Sequence, residues 1–298
     1  MNNDPIVAGE APTPTRRTRA RSIRTRARSS RGAPALASRR PAVLRALHAE
    51  ALKLAGTPGA WGGAALAVTL PVALELLNTR GMAAQLAADP DSYLYELLPD
   101  MGFMDAIFGV VGVVVIGAVS VAGEYTPTAQ SLGSARRVST ALLVEPRRGV
   151  TMTAKVLVVL GATAVLAALA CTLTFTVTAR ALGEWSPSFW PVPWGRVAGL
   201  SAWWALNALG AMALASLTRG ALVPLAWGLT TSSLVSPGLL LSRVTDLAAY
   251  LPDSAAFGLT MTDYDAPMLS TGRTWAVLAA WGLVALVLVA VPWTRRDA

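Results

Sequence analysis

Long apolar runs alternate with short polar connections along the chain. Six runs reach or approach the roughly 20 residues that a membrane-spanning helix requires. They lie near Trp61 to Leu77, Phe103 to Ala122, Val156 to Thr178, Val197 to Leu217, Ala221 to Leu241 and Thr274 to Trp293. The fourth and fifth are separated only by Thr218, Arg219 and Gly220, which predicts a tight antiparallel pair. Pro71 and Pro224 fall inside their runs and are expected to kink them, with neighbouring helices satisfying the freed carbonyls. Ahead of the first run, Val43, Leu44, Leu47, Ala51 and Leu54 recur at helical spacing, and Arg45, Glu50 and Lys53 share the remaining arc. That pattern predicts an amphipathic helix from Pro41 to Leu54 lying on the inner leaflet. His48 falls on this helix as a snorkelling interfacial residue.

The polar stretch from Gly123 to Lys155 organises the rest. Five cations, Arg136, Arg137, Arg147, Arg148 and Lys155, stand there against Glu124 and Glu145. Lys and Arg near membrane ends resist translocation, so this loop is assigned to the cytoplasmic side. Ser134 can cap a short helix whose Ala135, Val138 and Leu142 form one apolar stripe, and Pro146 ends it. Glu124 is expected to pair with a loop arginine and hold the loop's angle.

Composition fits this pattern. In 298 residues, 54% hydrophobic and 14% charged with a mean hydropathy of +0.50, there is too much apolar surface for a soluble domain, so the chain is read as an all-α integral membrane protein. The net charge of +8 suggests a nucleic-acid partner until its distribution is considered. With the N-terminus inside, 20 of the 25 Lys and Arg fall on cytoplasmic segments, and only Arg80, Arg180, Arg196, Arg243 and Arg273 fall outside. Topology therefore accounts for the charge, both termini are expected in the cytoplasm, and no nucleic acid is expected as partner. Residues 1–40 carry ten arginines and no large hydrophobic cluster, which predicts a disordered tail preceding a membrane domain from 41 to 298. Adhesion of that tail to anionic lipid or RNA is the alternative to a purely topological role. Trp185, Trp190 and Trp194 read as an aromatic belt, while Trp203, Trp204, Trp227 and Trp281 lie deeper, either packing or facing a substrate path.

Catalytic chemistry is missing. No stretch matches the nucleotide-cradling G-x-x-x-x-G-K-[ST] loop, and a lone histidine excludes a histidine relay or an H-E-x-x-H zinc helix. Cys171, the only cysteine, lies in an apolar run, so neither an internal disulfide nor a cysteine metal cluster is expected. Glu75 alone reads as an ionisable residue within a span, near its outer end. Such a deficit of buried charge argues against an ion-coupled carrier.

Three phrases carry a resemblance to the permeases of type-2 ATP-binding-cassette (ABC) exporters, in their compact actinobacterial form. Arg45, Glu50, Lys53 and Leu54 resemble the R-x-E-x-x-K-L phrase on that family's elbow helix, with Arg45 standing off the usual spacing. Gly123-Glu124-Tyr125, then Arg136-Arg137, Ser139-Thr140, Leu142, Pro146-Arg147-Arg148 and Ala154-Lys155, are similar to its G-E-Y, threonine-leucine, P-R-R and A-K signature. Tyr250-Leu251-Pro252 with Ala255, and the Arg295-Arg296-Asp297 ending, resemble its C-terminal region. The chain departs from the family at Thr126-Pro127-Thr128 and at Glu145.

The resemblance implies a six-span permease with an N-terminal elbow helix and a short cytoplasmic coupling helix between spans two and three. It further implies an ATPase-coupling loop at Glu124, Arg136, Arg137, Thr140, Leu142, Pro146, Arg147, Arg148 and Lys155, with elbow residues Glu50, Lys53 and Leu54. No cofactor is expected on this chain; ATP-Mg would sit on a partner ABC ATPase subunit. A second permease copy or a paralogue would complete the path, in a bacterial cytoplasmic membrane. A scaffold or immunity protein that binds a partner without transport stands as the alternative.

Overall fold

Backbone N–H and C=O groups in lipid must bond within their own segment, which leaves these apolar runs the helix as their stable form. The computed structural model, which describes residues 42–89, 92–125, 148–230, 236–262 and 267–295, is helical with no strand among the described residues. Five stretches are long and apolar enough to cross a membrane: Pro58–Ala88, Phe103–Tyr125, Gly149–Trp185, Trp194–Thr218 and Thr271–Pro292. They suit a multi-pass membrane protein.

In order, the helices are α1 (Ala42–Ala55), α2 (Pro58–Thr79), the short α3 (Met82–Ala88) and α4 (Leu94–Leu97), α5 (Phe103–Ala106), and α6 (Val110–Tyr125). Then follow α7 (Arg148–Leu182), α8 (Trp194–Thr218), α9 (Leu222–Leu229), α10 (Pro237–Ser242), α11 (Pro252–Thr260) and α12 (Thr271–Arg295). The Arg-rich tail and the expected coupling helix lie outside the described residues.

Helix α6 is the centre of the bundle, packed against both α2 and α8. Glycines make this possible. A Cβ added at Gly112 would come within 2.2 Å of the Gly63 carbonyl oxygen, and one at Gly117 within 2.4 Å of the Ala208 carbonyl oxygen. Small residues let membrane helices approach backbone to backbone, where dispersion replaces the hydrophobic drive that lipid removes. Fully buried Trp204 lies over Gly109 on the same face, and Trp203 packs edge-on to Phe257, so both deeper indoles of this pair belong to helix packing. Trp227 and Trp281 are exposed on the bundle surface.

Two runs differ from expectation. The second begins as a single turn, α5, then a 3-10 turn over Ile107–Gly109 before α6. The fifth is not one continuous helix among the described residues: α9 covers Leu222–Leu229 and α10 covers Pro237–Ser242. Pro224 sits in the first turn of α9, where its missing N–H costs no helical bond, so it opens a helix instead of kinking one. Helix α2 runs unbroken through Pro71.

The path of the broken stretch is nevertheless fixed at its two ends. Leu225 on α9 packs with Val114, Ala118 and Ala211, beside the C-terminal half of α8. By Thr260 the chain has reached the opposite end of α8, where the Thr260 carbonyl accepts a bond from Arg196 Nε at 2.5 Å. Between Thr218 and Thr260 the chain therefore travels the length of α8.

Candidate functional site

At the end of the bundle where α6 stops and α7 begins, four charged side chains close into a ring. Lys155 Nζ lies 2.6 Å from Glu50 Oε2 and 2.9 Å from Glu124 Oε1. Lys53 Nζ lies 2.6 Å from Glu50 Oε1 and 3.4 Å from Glu124 Oε1. Each carboxylate meets two ammonium groups, and each ammonium meets two carboxylates. Lys155 gives a further hydrogen bond to the Ser120 carbonyl at 3.1 Å.

Three helices supply the ring. Glu50 and Lys53 are one turn apart on α1, Glu124 is in the last turn of α6, and Lys155 is two turns into α7. Glu50, Glu124 and Lys155 are buried, while the Lys53 side chain keeps 43% of its surface exposed. Desolvating a charge is costly, so burial of three ions is tolerable only because the ring is closed and neutral. Burial opposes the charge on Lys53, yet its hydrogen bond to Glu50 and the negative charges of Glu124 and Glu50 outweigh it and raise its pKa above the ordinary 10.5. A cavity of about 480 Å³ opens beside the ring, lined also by Leu54, Thr57, Val119 and Val159.

The ring ties α1 to both stems of the 126–147 segment. Of the residues singled out in the sequence, Glu50, Lys53, Glu124 and Lys155 come together here and Leu54 lines the adjoining cavity. Arg148 is the first residue of α7. Arg136, Arg137, Thr140, Leu142, Pro146 and Arg147 lie outside the described residues. Glu124 was expected to pair with a loop arginine; among the described residues its ion-pair partners are Lys155 and Lys53. The charged arc of α1, expected at the membrane surface, turns Glu50 into the bundle, while Val43, Leu44 and Leu52 are exposed.

The far end of the bundle carries polar contacts that sequence reasoning missed. Arg196 Nη2 meets Asp100 Oδ1 at 2.5 Å, its Nη1 donates to the Pro99 carbonyl at 2.7 Å, and its guanidinium sits 4.0 Å from the Phe103 ring centre. Asp100 also accepts from the Thr262 amide at 2.9 Å and its hydroxyl at 2.8 Å. Nearby, Glu75 is fully buried, accepting from Thr178 Oγ1 at 2.6 Å and from the Gly102 amide at 3.1 Å. Asp105, also buried, accepts from Asn78 Nδ2 at 2.8 Å. Asp105 lies only two residues inside the second apolar run, the one signal that could have added it to Glu75. With Asp105 and the ring counted, the bundle buries more charge than the sequence suggested, and that argument against ion coupling lapses.

Among the described residues no group of His, Cys, Asp and Glu could hold a metal ion. The ring has no open coordination position; what it can do is hold three helices in one arrangement. No family model, curated protein or solved structure matches the chain.

Proposed function

We propose that the chain is the membrane-spanning permease subunit of an ABC exporter, driven by a separate ATPase subunit that carries ATP-Mg. The observation behind this reading is the ring of Glu50, Lys53, Glu124 and Lys155, which fastens an amphipathic helix to the two stems of a basic loop. A loop held that way transmits a push: displacing it must move α6 and α7 together, as a two-arrangement transporter requires. The sequence resemblance supplies the partner, an ABC ATPase dimer docked on residues 126–147, and a second permease copy or paralogue across the path. In this reading the broken stretch over α9 and α10 is the fourth-to-sixth-span link that brings the crossings to six, α1 is the elbow helix, and both termini lie in the cytoplasm of a bacterium.

The test is a mild-detergent pull-down of the tagged chain, with mass spectrometry of what co-purifies, repeated with Arg147→Glu and Arg148→Glu combined. A near-stoichiometric Walker-type ATPase, lost in the double variant, is the expected result. If none co-purifies with folded protein, the exporter gives way to a scaffold that binds without pumping.

One observation favours a second reading. Glu75 and Asp105 are buried without a cation paired to either among the described residues, as in ion-coupled carriers. Collapse of the proton gradient would stop such a carrier and leave an ATP-driven exporter running.

A further inference from the structure

A cleft of about 540 Å³ runs along α7 towards the 183–193 connection, away from the ring. Its floor is one face of α7: Ala168, Cys171, Phe175 and Ala179 recur at the three- and four-residue spacing that lines up on a helix, and Arg180 follows at the end of that face. Its other wall is Phe189, which stacks on Phe175 with ring centres 4.3 Å apart, and Trp194 at the start of α8. From Ala168 to Arg180 the cleft extends about 18 Å at the helical rise per residue.

Polarity is confined to one end. The hydroxyls of Thr172 and Thr176 also line the cleft, but each donates to its own helix, to the Ala168 and Thr172 carbonyls at 2.8 and 2.6 Å. That leaves Arg180, exposed at the mouth and in none of the ion pairs among the described residues, as the group with unspent donors. Trp194, 72% exposed, lines the same cleft, and Trp190, 82% exposed, follows the wall residue Phe189 in the chain. Exposed indoles mark the headgroup level of a bilayer, which puts Arg180 among phosphates and Ala168 at hydrocarbon depth.

We propose that this cleft holds one acyl chain of an anionic phospholipid, with its phosphate on Arg180. An apolar cleft that follows the helix axis for about 18 Å matches the length of a single acyl chain, and the Arg180 guanidinium at its mouth offers a planar fork to phosphate oxygens. An anionic headgroup is preferred because Arg180 takes part in none of the ion pairs among the described residues.

The experiment places the full chain in phosphatidylcholine nanodiscs doped with a phosphatidylglycerol probe that carries a diazirine near the end of one acyl chain. After photolysis, crosslinks are expected to concentrate between Ala168 and Thr176, and to be competed by unlabelled phosphatidylglycerol but not by added phosphatidylcholine. Arg180→Gln is expected to raise the probe concentration for half-maximal crosslinking about tenfold, the scale of one charge-assisted hydrogen bond. Ala168→Trp, which fills the deep end without touching Arg180, is expected to abolish the crosslinks there. Arg273→Gln, at another arginine, is expected to change nothing. Crosslinks spread evenly over the exposed helices, equal competition by phosphatidylcholine, or an unchanged yield in Arg180→Gln would each overturn the site in favour of bulk lipid contact.

Discussion

Lys155 and Glu50 stand 105 residues apart in the chain and meet at 2.6 Å with almost no solvent around them. Their pair joins α1 to α7 inside the bundle. Removing one member of such a pair leaves a buried charge without a partner, which typically costs about 3–5 kcal/mol. Lys155→Met is therefore expected to lower the thermal midpoint of the purified protein sharply. Glu50→Gln combined with Lys155→Met should recover part of that loss, because the double change strands one charge fewer. Additive losses in a double-mutant cycle would mean that the two side chains do not interact.

Lys53 offers a gentler test because it is half open to water. Its pKa is raised, with burial opposed by the hydrogen bond to Glu50 and by the charges of Glu124 and Glu50. A lysine whose pKa is raised on folding stabilises the fold below its unfolded value and loses that contribution as pH rises through the folded one. The difference in midpoint between the wild-type chain and Lys53→Met should stay level from neutral pH to about pH 10 and shrink only above 10.5. Shrinkage already between pH 7 and 9 would show that Lys53 is not held by the two glutamates.

Close backbone contact at the bundle centre is a third point of attack. Gly112→Ala places a methyl within 2.2 Å of the Gly63 carbonyl oxygen and 2.3 Å of the Ala67 amide nitrogen, and both are backbone atoms that cannot swing away. Overpacking of this kind costs about 1–3 kcal/mol or more. Gly161→Ala, with nothing within 4 Å, should be neutral or slightly stabilising by removing helical glycine. Equal behaviour of the two variants in a thermal scan would remove the α2–α6 contact as a structural determinant.

How much of this was legible in the sequence depends on the range of the interaction. Apolar runs located the five long helices because each signal is local: length and hydropathy suffice. The period of Val43, Leu44, Leu47 and Ala51 gave α1 almost to the residue, yet the burial of Glu50 was out of reach, since its reason is Lys155 on another helix. Glu50, Lys53, Glu124 and Lys155 were picked out as phrases of a family signature, with no hint that they touch. The ion pair of Asp100 with Arg196 joins residues 96 apart, and neither stands out in its own surroundings. The fifth run was legible only in part: Pro224 reads as a kink within it but stands in the first turn of a helix, and Pro237 opens another.

That same broken run sets the last prediction. Five long apolar helices alone would leave the two ends of the chain on opposite faces of the membrane, whereas a sixth crossing would bring them to the same face. The packing argues for the crossing. Leu225 lies by Ala211 near one end of α8, while the Thr260 carbonyl bonds Arg196 near the other, so the chain must pass from end to end between them. Helix α12 then has to return. With Cys171→Ser as background, single cysteines at Asn2, Ser188 and Ala298 are expected to fall into two classes when intact cells are treated with a membrane-impermeant maleimide: Ser188→Cys labelled, Asn2→Cys and Ala298→Cys protected until the cells are opened. Labelling of Ala298→Cys together with Ser188→Cys, and not with Asn2→Cys, would mean that α9 and α10 dip into the bilayer and return, and the docking loop would then have to be argued from a five-span topology.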